Sequence, residues 1–370
     1  RVLMDEFPVT TIVAATGFLA GIVFGGVANK TNFCTMGALS DIVFMEDYTR
    51  FRSWMLAMTV AIIGSQALHV MGMVDLYTTI YQTTNFGWLG AIIGGLMFGF
   101  GMSMAGGCAN KNLVRIGGGN LKSIVVVLVM GIFAYMTLRG LVGMARVELE
   151  AISNVDLSEM ELASQGIIDM IASIGGSDPE AIRVSVTTVI VLGLLFYIFK
   201  DDEFRSSGNA ILGGTIIGLL VPLGWWLTGV LGFDDFEPLP LFSFTFVAPA
   251  GESIQYLMTF TGSTINFGIA TVGGVIVGSF LVALTSNTFR IESFSDGSDM
   301  ARHLVGATIM GIGGVLALGC TVGQGITGMS TLAMGSLIAL VSIIIGGLIG
   351  LKYLEEGTLG GALKTLLSSD

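Results

Sequence analysis

The segment Gly99-Phe100-Gly101-Met102-Ser103-Met104-Ala105-Gly106-Gly107-Cys108 occurs in this chain a second time, 212 positions later. The second copy is Gly311-Ile312-Gly313-Gly314-Val315-Leu316-Ala317-Leu318-Gly319-Cys320, and five of the ten aligned positions are identical. Glycine identities carry little weight among 54 glycines, but two of only three cysteines fall in register. Each copy is an apolar stretch that ends in Gly-Cys, which is typical of a membrane helix that runs into a polar site. The repeat therefore predicts two related halves in one membrane domain.

The composition indicates an all-α integral membrane protein, because 53% of the residues are hydrophobic, 12% are charged and the mean hydropathy is +0.83. Three cysteines without a Cys-x-x-Cys spacing exclude a disulfide framework and the common zinc and redox motifs. Only two histidines are present, so we expect no metal, and no fingerprint points to another cofactor or to a nucleic-acid partner. No cleavable signal pattern is visible, so every apolar segment is expected to remain in the membrane.

A membrane-spanning helix needs about 20 largely apolar residues, and the chain offers nine such segments. We place them at 9–28, 53–73, 86–106, 122–140, 182–199, 209–231, 264–285, 303–319 and 335–351. Four further apolar segments are too short to cross, and non-helical backbone at membrane depth survives only where protein or a wet cavity satisfies it. We therefore predict four short re-entrant helices, at 33–44, 108–119, 249–262 and 320–334.

Pairs of small residues four positions apart recur within these spans and predict close helix packing. The pairs are Gly21/Gly25, Gly95/Gly99, Gly274/Gly278 and Gly346/Gly350.

The basic residues predict the orientation. With the N-terminus outside and the C-terminus inside, twelve basic residues lie at the inner face and four at the outer face, which is the expected bias. The inner residues are Lys30, Arg50, Arg52, Lys111, Arg115, Lys122, Lys200, Arg205, Arg290, Arg302, Lys352 and Lys364; the outer ones are Arg1, Arg139, Arg146 and Arg183. An acidic segment at 147–178 and the acidic patch at 234–237 then fall outside.

This topology makes the two halves inverted. Cys108 follows the third span at its inner end, whereas Cys320 follows the eighth span at its outer end. Because an odd number of spans separates the two copies, the second half has the opposite orientation in the membrane. We assign residues 1–145 to the first half, 146–205 to the acidic outer loop and a linking span, and 206–370 to the second half of a single transport domain.

The candidate site is formed by three thiols at the starts of three predicted short helices, Cys34, Cys108 and Cys320. The N-terminus of a helix attracts anions through its unpaired N–H groups, and a thiol adds a weak, soft donor suited to a polarisable sulfur or selenium atom. Neutral donors let an anion pass, whereas a buried ammonium would hold it. The neighbouring candidate binding residues are Thr35, Gly107, Gly319 and Thr321.

The alternative interpretation of each residue is structural. A buried cysteine is often only a small apolar filler, but three cysteines at predicted helix breaks favour a site. Lys111 and Arg115 are weaker candidates, since basic residues at the inner end of a span usually reflect topology. Glu252 is equally compatible with a helix-start charge and with a site residue.

At these residues the chain resembles the YeeE/YedE sulfur-transport family of bacterial inner-membrane proteins. The resemblance is carried by Asn32-Phe33-Cys34 with Met36-Gly37-Ala38, by Gly106-Gly107-Cys108 and by Gly319-Cys320-Thr321-Val322-Gly323. It implies nine membrane helices with short re-entrant helices, uptake of thiosulfate, and a pathway in which Cys34, Cys108 and Cys320 pass the anion along by thiol hydrogen bonds. The acidic segment 147–178 is unlike compact members of that family.

The expected function is therefore a membrane transporter, not an enzyme, that imports thiosulfate or a related sulfur oxyanion. Its expected partners are the small anion, the lipid bilayer and, as a further candidate, a cytoplasmic sulfur-carrier protein. Two alternatives remain open: a transporter of a selenium or other sulfur compound, and a membrane-embedded thiol or sulfur-redox enzyme that uses the cysteines covalently. The enzyme would need two thiols close enough to bridge, but the sequence shows no acid/base pair beside a cysteine.

Overall fold

The computed structural model of the protein describes residues 8–234 and 239–368, and nearly all regular structure there is helical. Arg1 and most of the acidic patch at 234–237 lie outside the described residues. In chain order the helices are α1 (Val9–Lys30), α2 (Thr35–Met45), α3 (Thr49–Val70), α4 (Trp88–Met104), α5 (Ala109–Gly117), α6 (Leu121–Arg139), α7 (Leu141–Ser153), α8 (Ile167–Gly175), α9 (Pro179–Phe199), α10 (Asp202–Ser206), α11 (Gly208–Trp226), α12 (Val247–Met258), α13 (Phe267–Thr285), α14 (Gly297–Leu316), α15 (Met334–Glu356) and α16 (Leu359–Ser368).

The long helices lie where the apolar segments predict them, usually within a few residues. The described residues contain eight helical segments that are long and apolar enough to cross a membrane. The predicted ninth span, 303–319, overlaps α14, which is not one of the eight. Its first turns carry Asp299 and Arg302, and crossing by this helix stays a prediction.

Each of the four short predicted segments contains a short helix. They are α2, α5, α12 and a π-helical stretch, Gly323–Gly328. The last begins shortly after Cys320, and its wider turn accommodates three glycines in six residues.

The small-residue pairs lie at the closest helix contacts, which confirms their predicted packing role. Helix α1 packs on α13, and a Cβ atom added to Gly21 would lie 2.6 Å from the Thr271 carbonyl oxygen. Helix α4 packs on α15 in the same way, and a Cβ atom on Gly95 would lie 2.8 Å from the Ala339 carbonyl oxygen. Backbones at this separation gain van der Waals contact that no larger residue permits.

The two copies of the sequence repeat pack against each other, because α14 lies against α4 as well as α6. A Cβ atom on Gly313 would lie 2.6 Å from the Phe98 nitrogen, and one on Gly94 would lie 2.7 Å from the Gly313 carbonyl oxygen. The glycines of the repeat therefore bring the two Gly-Cys ends into one tightly packed centre.

The segment 147–178 is folded, although the sequence indicated a loop. It contains the end of α7, all of α8 and the short strand β2 (Val155–Asp156), which pairs antiparallel with β1 (Asn85–Phe86). Backbone hydrogen bonds also tie it to the start of α15, from Ile167 N–H to the Leu332 oxygen at 2.8 Å and from Met334 N–H to the Gln165 oxygen at 2.9 Å.

A buried polar network anchors this segment to the helices. The Arg183 guanidinium donates to Gln66 at 3.1 Å, to Tyr77 at 2.6 Å and to Glu180 at 2.8 Å. The Tyr77 hydroxyl in turn donates to Asp169 at 2.9 Å. Arg183 is only 4% exposed, so these contacts compensate for the cost of burying its charge.

We expect Arg183→Gln to destabilise the protein by about 2 kcal/mol, because the buried partners lose a charged donor. The measurement is the midpoint of thermal unfolding in detergent. The matched control is Arg139→Gln at the exposed end of α6, which should leave the midpoint unchanged. Equal midpoints for the two variants would contradict the anchoring role.

Candidate functional site

The two repeat copies end in the same backbone turn. After α4, Gly106 has a φ of +70° and the Gly107 N–H donates to the Met102 oxygen at 2.8 Å. After α14, Leu318 has a φ of +58° and the Gly319 N–H donates to the Gly314 oxygen, also at 2.8 Å. This is a left-handed helix ending, and each copy places a cysteine directly after it.

A third copy of the turn precedes Cys34, and sequence identity does not reveal it. Helix α1 ends at Lys30, Asn32 has a φ of +52°, and the Phe33 N–H donates to the Ala28 oxygen at 3.1 Å. Asparagine is one of the few residues other than glycine that adopt this conformation readily. An asparagine two residues before the cysteine is the signal that could have identified the turn.

The leucine at the second turn is strained, since a Cβ atom at positive φ costs about 1–2 kcal/mol. Leu318 is 46% exposed, so its side chain makes few compensating contacts. We expect Leu318→Gly to raise the midpoint of thermal unfolding by relieving this cost. The matched change at the first turn, Gly106→Leu, should lower it. A lower midpoint for Leu318→Gly would show that the leucine is held by contacts that outweigh the strain.

The thiols occupy equivalent positions at the starts of the short helical segments. Cys34 Sγ accepts a hydrogen bond from the Gly37 N–H at 3.2 Å, and Cys320 Sγ accepts one from the Gly323 N–H at 3.3 Å. The Lys111 N–H points toward Cys108 Sγ, but its geometry falls short of a full hydrogen bond. In each case the donor lies three residues after the cysteine. A sulfur that accepts an N–H keeps its own S–H free to donate elsewhere.

The fold brings Cys34 and Cys108 together beside Thr321, the neighbour of Cys320 in the chain, and these four residues are called the thiol cluster below. The side chains of Cys34 and Cys108 lie beside each other, and the Cys108 thiol also faces the Thr321 hydroxyl. Cys320 is next to Thr321 in the chain, and its sulfur lies near the backbone N–H of Phe246 and near Tyr81. Neither Phe246 nor Tyr81 was predicted from the sequence, because no motif marks them.

The cluster is closed to solvent in this conformation. Cys34 is 6% exposed, and Cys108 and Cys320 are fully buried. Three residues that follow a cysteine by one or two positions have buried side-chain polar atoms without a hydrogen-bond partner among the described residues. These atoms are the two amide atoms of Asn110 and the hydroxyls of Thr35 and Thr321. Such atoms are costly to bury unless a ligand or water pairs with them during function. Asn110 is a candidate that sequence analysis missed.

The two predicted glycines lie against the first turn of the helix that follows. A Cβ atom on Gly107 would lie 3.2 Å from Lys111 Cγ, and one on Gly319 would lie 3.1 Å from the Gln324 nitrogen. Because glycine has no side chain, the turn can pack closely against the first turn of the helix that follows.

The charged candidates lie at the edges of the cluster. Glu252 accepts a hydrogen bond from Asn266 at 2.8 Å and lines a separate cavity of about 200 Å³. Lys111 donates to the Asn32 side-chain oxygen, and Arg115 donates to the Gly106 oxygen at 2.6 Å. The two cations thus contact two of the three turns.

Comparison with known proteins identifies the family. The sequence profile of the family Sulf_transp, described as "Sulphur transport", matches residues 30–349. The chain belongs to this sulphur transport family. A relative from Escherichia coli (strain K12), named thiosulfate transporter TsuA, is 25% identical over 334 residues, covering 84% of this chain and 86% of the relative. A second, from Spirochaeta thermophila (strain ATCC 700085 / DSM 6578 / Z-1203) and of the same name, is 25% identical over 320 residues, covering 84% of this chain and 90% of the relative.

Membership of the sulphur transport family confirms the resemblance drawn from the three cysteine motifs. The matched residues include Cys34, Cys108 and Cys320, together with all four short helical segments. The apolar helices and the family together make the chain a multi-pass membrane protein of sulfur transport.

Proposed function

We propose that this protein imports thiosulfate, or a related sulfur oxyanion, through a central path lined by Cys34, Cys108 and Cys320 and by the adjoining helix starts. The observation that carries the proposal is the contact between Cys34 and Cys108, continued to Thr321 beside Cys320. Two relatives named thiosulfate transporter support the choice of substrate. On this proposal the protein is not an enzyme.

The packing of the helices supports two inverted halves related by a pseudo-twofold axis. If α1–α6 correspond to α11–α15 together with the π-helical segment, contacts occur in matching pairs. Helix α1 on α13 matches α11 on α3, α4 on α15 matches α14 on α6, and α6 on α12 matches α15 on α2. The α4–α14 contact maps onto itself and would lie on the axis. Residues 1–145 and 206–370 are the halves, and 146–205 links them.

The same correspondence identifies what stands opposite Cys34. Cys34 precedes α2 and lies beside the Cys108 thiol, whereas Phe246 precedes α12 and has its backbone N–H near the Cys320 thiol. We propose that one half therefore uses a thiol where the other uses a peptide N–H. On this proposal, the two halves of the path differ chemically at the position of Cys34.

In the proposed mechanism, the thiols act as a sequence of neutral donors. Backbone N–H groups occupy the sulfur acceptor sites of Cys34 and Cys320, so each S–H can donate to an oxyanion. The helix starts add partial positive charge, and the nearest fixed cations, Lys111 and Arg115, lie at the edge of the cluster, not between the thiols. The anion would replace the Cys34–Cys108 contact and pair with Thr35, Asn110 and Thr321. Because the thiols are buried, each step requires a local opening of a short helix.

The basic residues support an orientation with the N-terminus outside and the C-terminus inside a bacterial inner membrane. Cys320 then lies toward the outer face and Cys34 toward the inner face. A cytoplasmic sulfur-carrier protein is the proposed acceptor of the imported anion. Re-entrant crossing by α2, α5, α12 and the π-helical segment belongs to the same proposal.

Uptake of labelled thiosulfate into proteoliposomes that contain only this protein tests the function. We expect saturable uptake that excess unlabelled thiosulfate inhibits, with selenate, sulfite and sulfate as competitors that rank the specificity. Empty liposomes provide the control. No uptake above that control would refute transport, and strong competition by selenate alone would move the assignment to selenium compounds.

One observation favours a second candidate, a membrane-embedded thiol or sulfur-redox enzyme, because Cys34 and Cys108 lie against each other. Such an enzyme predicts a covalent intermediate. Mass spectrometry of the intact protein after thiosulfate exposure separates the candidates. A retained extra sulfur atom, or an oxidised Cys34–Cys108 pair formed in proportion to substrate, would favour the enzyme, and an unchanged mass favours transport.

A further inference from the structure

A second polar cavity, of about 470 Å³, lies at the predicted inner end of α5. It is far larger than the roughly 30 Å³ that one water molecule occupies in liquid. Unlike the thiol cluster, it is lined mainly by polar and basic side chains. The charged and ionisable basic side chains that line it are Lys111, Arg115, Lys122, Arg290, Arg302 and His303.

Separate parts of the chain assemble this cavity and hold its shape. Backbone hydrogen bonds join the α5–α6 turn to the α13–α14 connection, from Arg290 N–H to the Gly118 oxygen at 3.1 Å and from Leu121 N–H to the Glu292 oxygen at 2.9 Å. Gly119 has a φ of +96° and adjoins the Arg290 backbone, so a larger residue would clash there. The cavity is therefore a built feature between the two halves.

The charges in the cavity are only partly balanced. Asp299 pairs with Lys122 at 2.8 Å and with Arg302 at 2.9 Å. Within residues 8–234 and 239–368, three lining cations form no salt bridge with a carboxylate: Lys111, Arg115 and Arg290. The lining carboxylate Glu292 accepts instead from Asn120 at 2.6 Å. An excess of positive charge results.

Topology alone does not account for this arrangement. Several other basic residues at the same predicted face have carboxylate partners: Arg52 pairs with Asp201, Arg205 with Asp202, and Lys352 with Glu355. In the described part of the chain Lys30 and Lys200 form no salt bridge either, but they do not line this cavity. The positive-inside rule requires basic residues near the inner ends of the spans, but it does not require them to converge on one cavity without partners. Converging, unneutralised cations are what a small anion requires.

We propose that this cavity binds a doubly charged tetrahedral oxyanion such as thiosulfate or sulfate, and holds the transported anion after it leaves the Cys34–Cys108 pair. This proposal rests on the proposed transport function. Lys111 connects the two sites, because it lines the cavity, lies three residues after Cys108 and donates to Asn32, two residues before Cys34.

Binding in this cavity is weak enough to permit release. Arg290 is exposed and Lys111, Arg115 and Lys122 are partly exposed, so water and salt screen their charges. The site therefore raises the local concentration of the anion at the exit without trapping it.

The test is calorimetric titration of the purified full-length protein with sodium thiosulfate and, separately, with sodium sulfate. It is run on the unaltered protein and on Cys34→Ala/Cys108→Ala, in which the thiol pair cannot contribute. We expect both proteins to bind both anions, with affinity that falls as sodium chloride is raised. Arg290→Gln should weaken binding about fivefold and Arg290→Gln/Lys111→Gln further still.

The control is Arg205→Gln, which removes a basic residue of the same predicted face outside the cavity and should leave the affinity unchanged. Thermal unfolding midpoints verify that the variants are folded. Equal affinity of Arg290→Gln and Arg205→Gln would overturn the proposal. Occupation of the cavity by an anionic lipid would also overturn the proposal. In that case thiosulfate would bind to the protein in phosphatidylcholine nanodiscs but not in nanodiscs that include phosphatidylglycerol.

The outcomes also separate this proposal from the transport function. If anion binding depends on Arg290 but the protein takes up no thiosulfate, the anion site in the cavity is supported and the proposed transport function is refuted. If the protein takes up thiosulfate but anion binding does not depend on Arg290, the transport function is supported and the anion site in the cavity is refuted.

Discussion

Replacing Cys108 by alanine is expected to reduce thiosulfate uptake at least about tenfold, which corresponds to the loss of about 1.4 kcal/mol of stabilisation along the path. Cys108 is the central thiol, because it contacts both Cys34 and Thr321 and is fully buried. Its removal interrupts the sequence of donors and takes away the thiol that faces the Thr321 hydroxyl. The measurement is the initial rate of labelled thiosulfate uptake into proteoliposomes at matched protein density.

Cys108→Ser is the informative control, since a hydroxyl keeps a donor of similar size but lacks the soft, polarisable sulfur. We expect its rate to lie between those of the unaltered protein and Cys108→Ala. Cys320→Ala and Cys34→Ala should each reduce uptake as well. Unreduced uptake in Cys108→Ala would show that the thiol is only a filler in a packed core.

Replacing Gly25 by leucine is expected to prevent stable folding. Helix α1 crosses α13 so closely that a Cβ atom at Gly25 would overlap the Val275 backbone, and one at Gly278 would overlap the Ile22 backbone. Overpacking in a core costs about 1–3 kcal/mol when side chains can move, and here the obstacle is backbone. The helices would have to separate, which would also displace α5, since α13 packs on it.

The amount of monodisperse protein recovered from membranes, measured by size-exclusion chromatography, reports the effect. Gly193→Leu is the matched control, because Gly193 lies within α9 and a Cβ atom there meets nothing within 4 Å. We expect normal recovery for Gly193→Leu and severe loss for Gly25→Leu. Equal recovery would mean that the α1–α13 contact tolerates separation.

The same residues show how far sequence analysis reaches toward the site. Two of the three cysteine turns are visible as Gly-Cys repeats because glycine is favoured where φ is positive. The third is hidden, because Asn32 adopts that conformation with a different side chain. Phe246 is hidden for another reason, since the group that lies near the Cys320 sulfur is its backbone N–H, which every residue except proline carries.

The sequence by itself determined the apolar helices, the breaks between them, the packing glycines and the cysteines at the helix starts. Each is a local consequence of hydrophobic length, backbone conformation or residue size, and local causes leave a local pattern. Only the tertiary structure decided that Cys34 lies beside Cys108, that 147–178 folds against the start of α15, and that Lys111, Arg115 and Arg290 converge on one cavity. These relations join residues far apart in the chain, and they depend on the close crossings of α1 with α13 and of α4 with α14, between which the short helices pack.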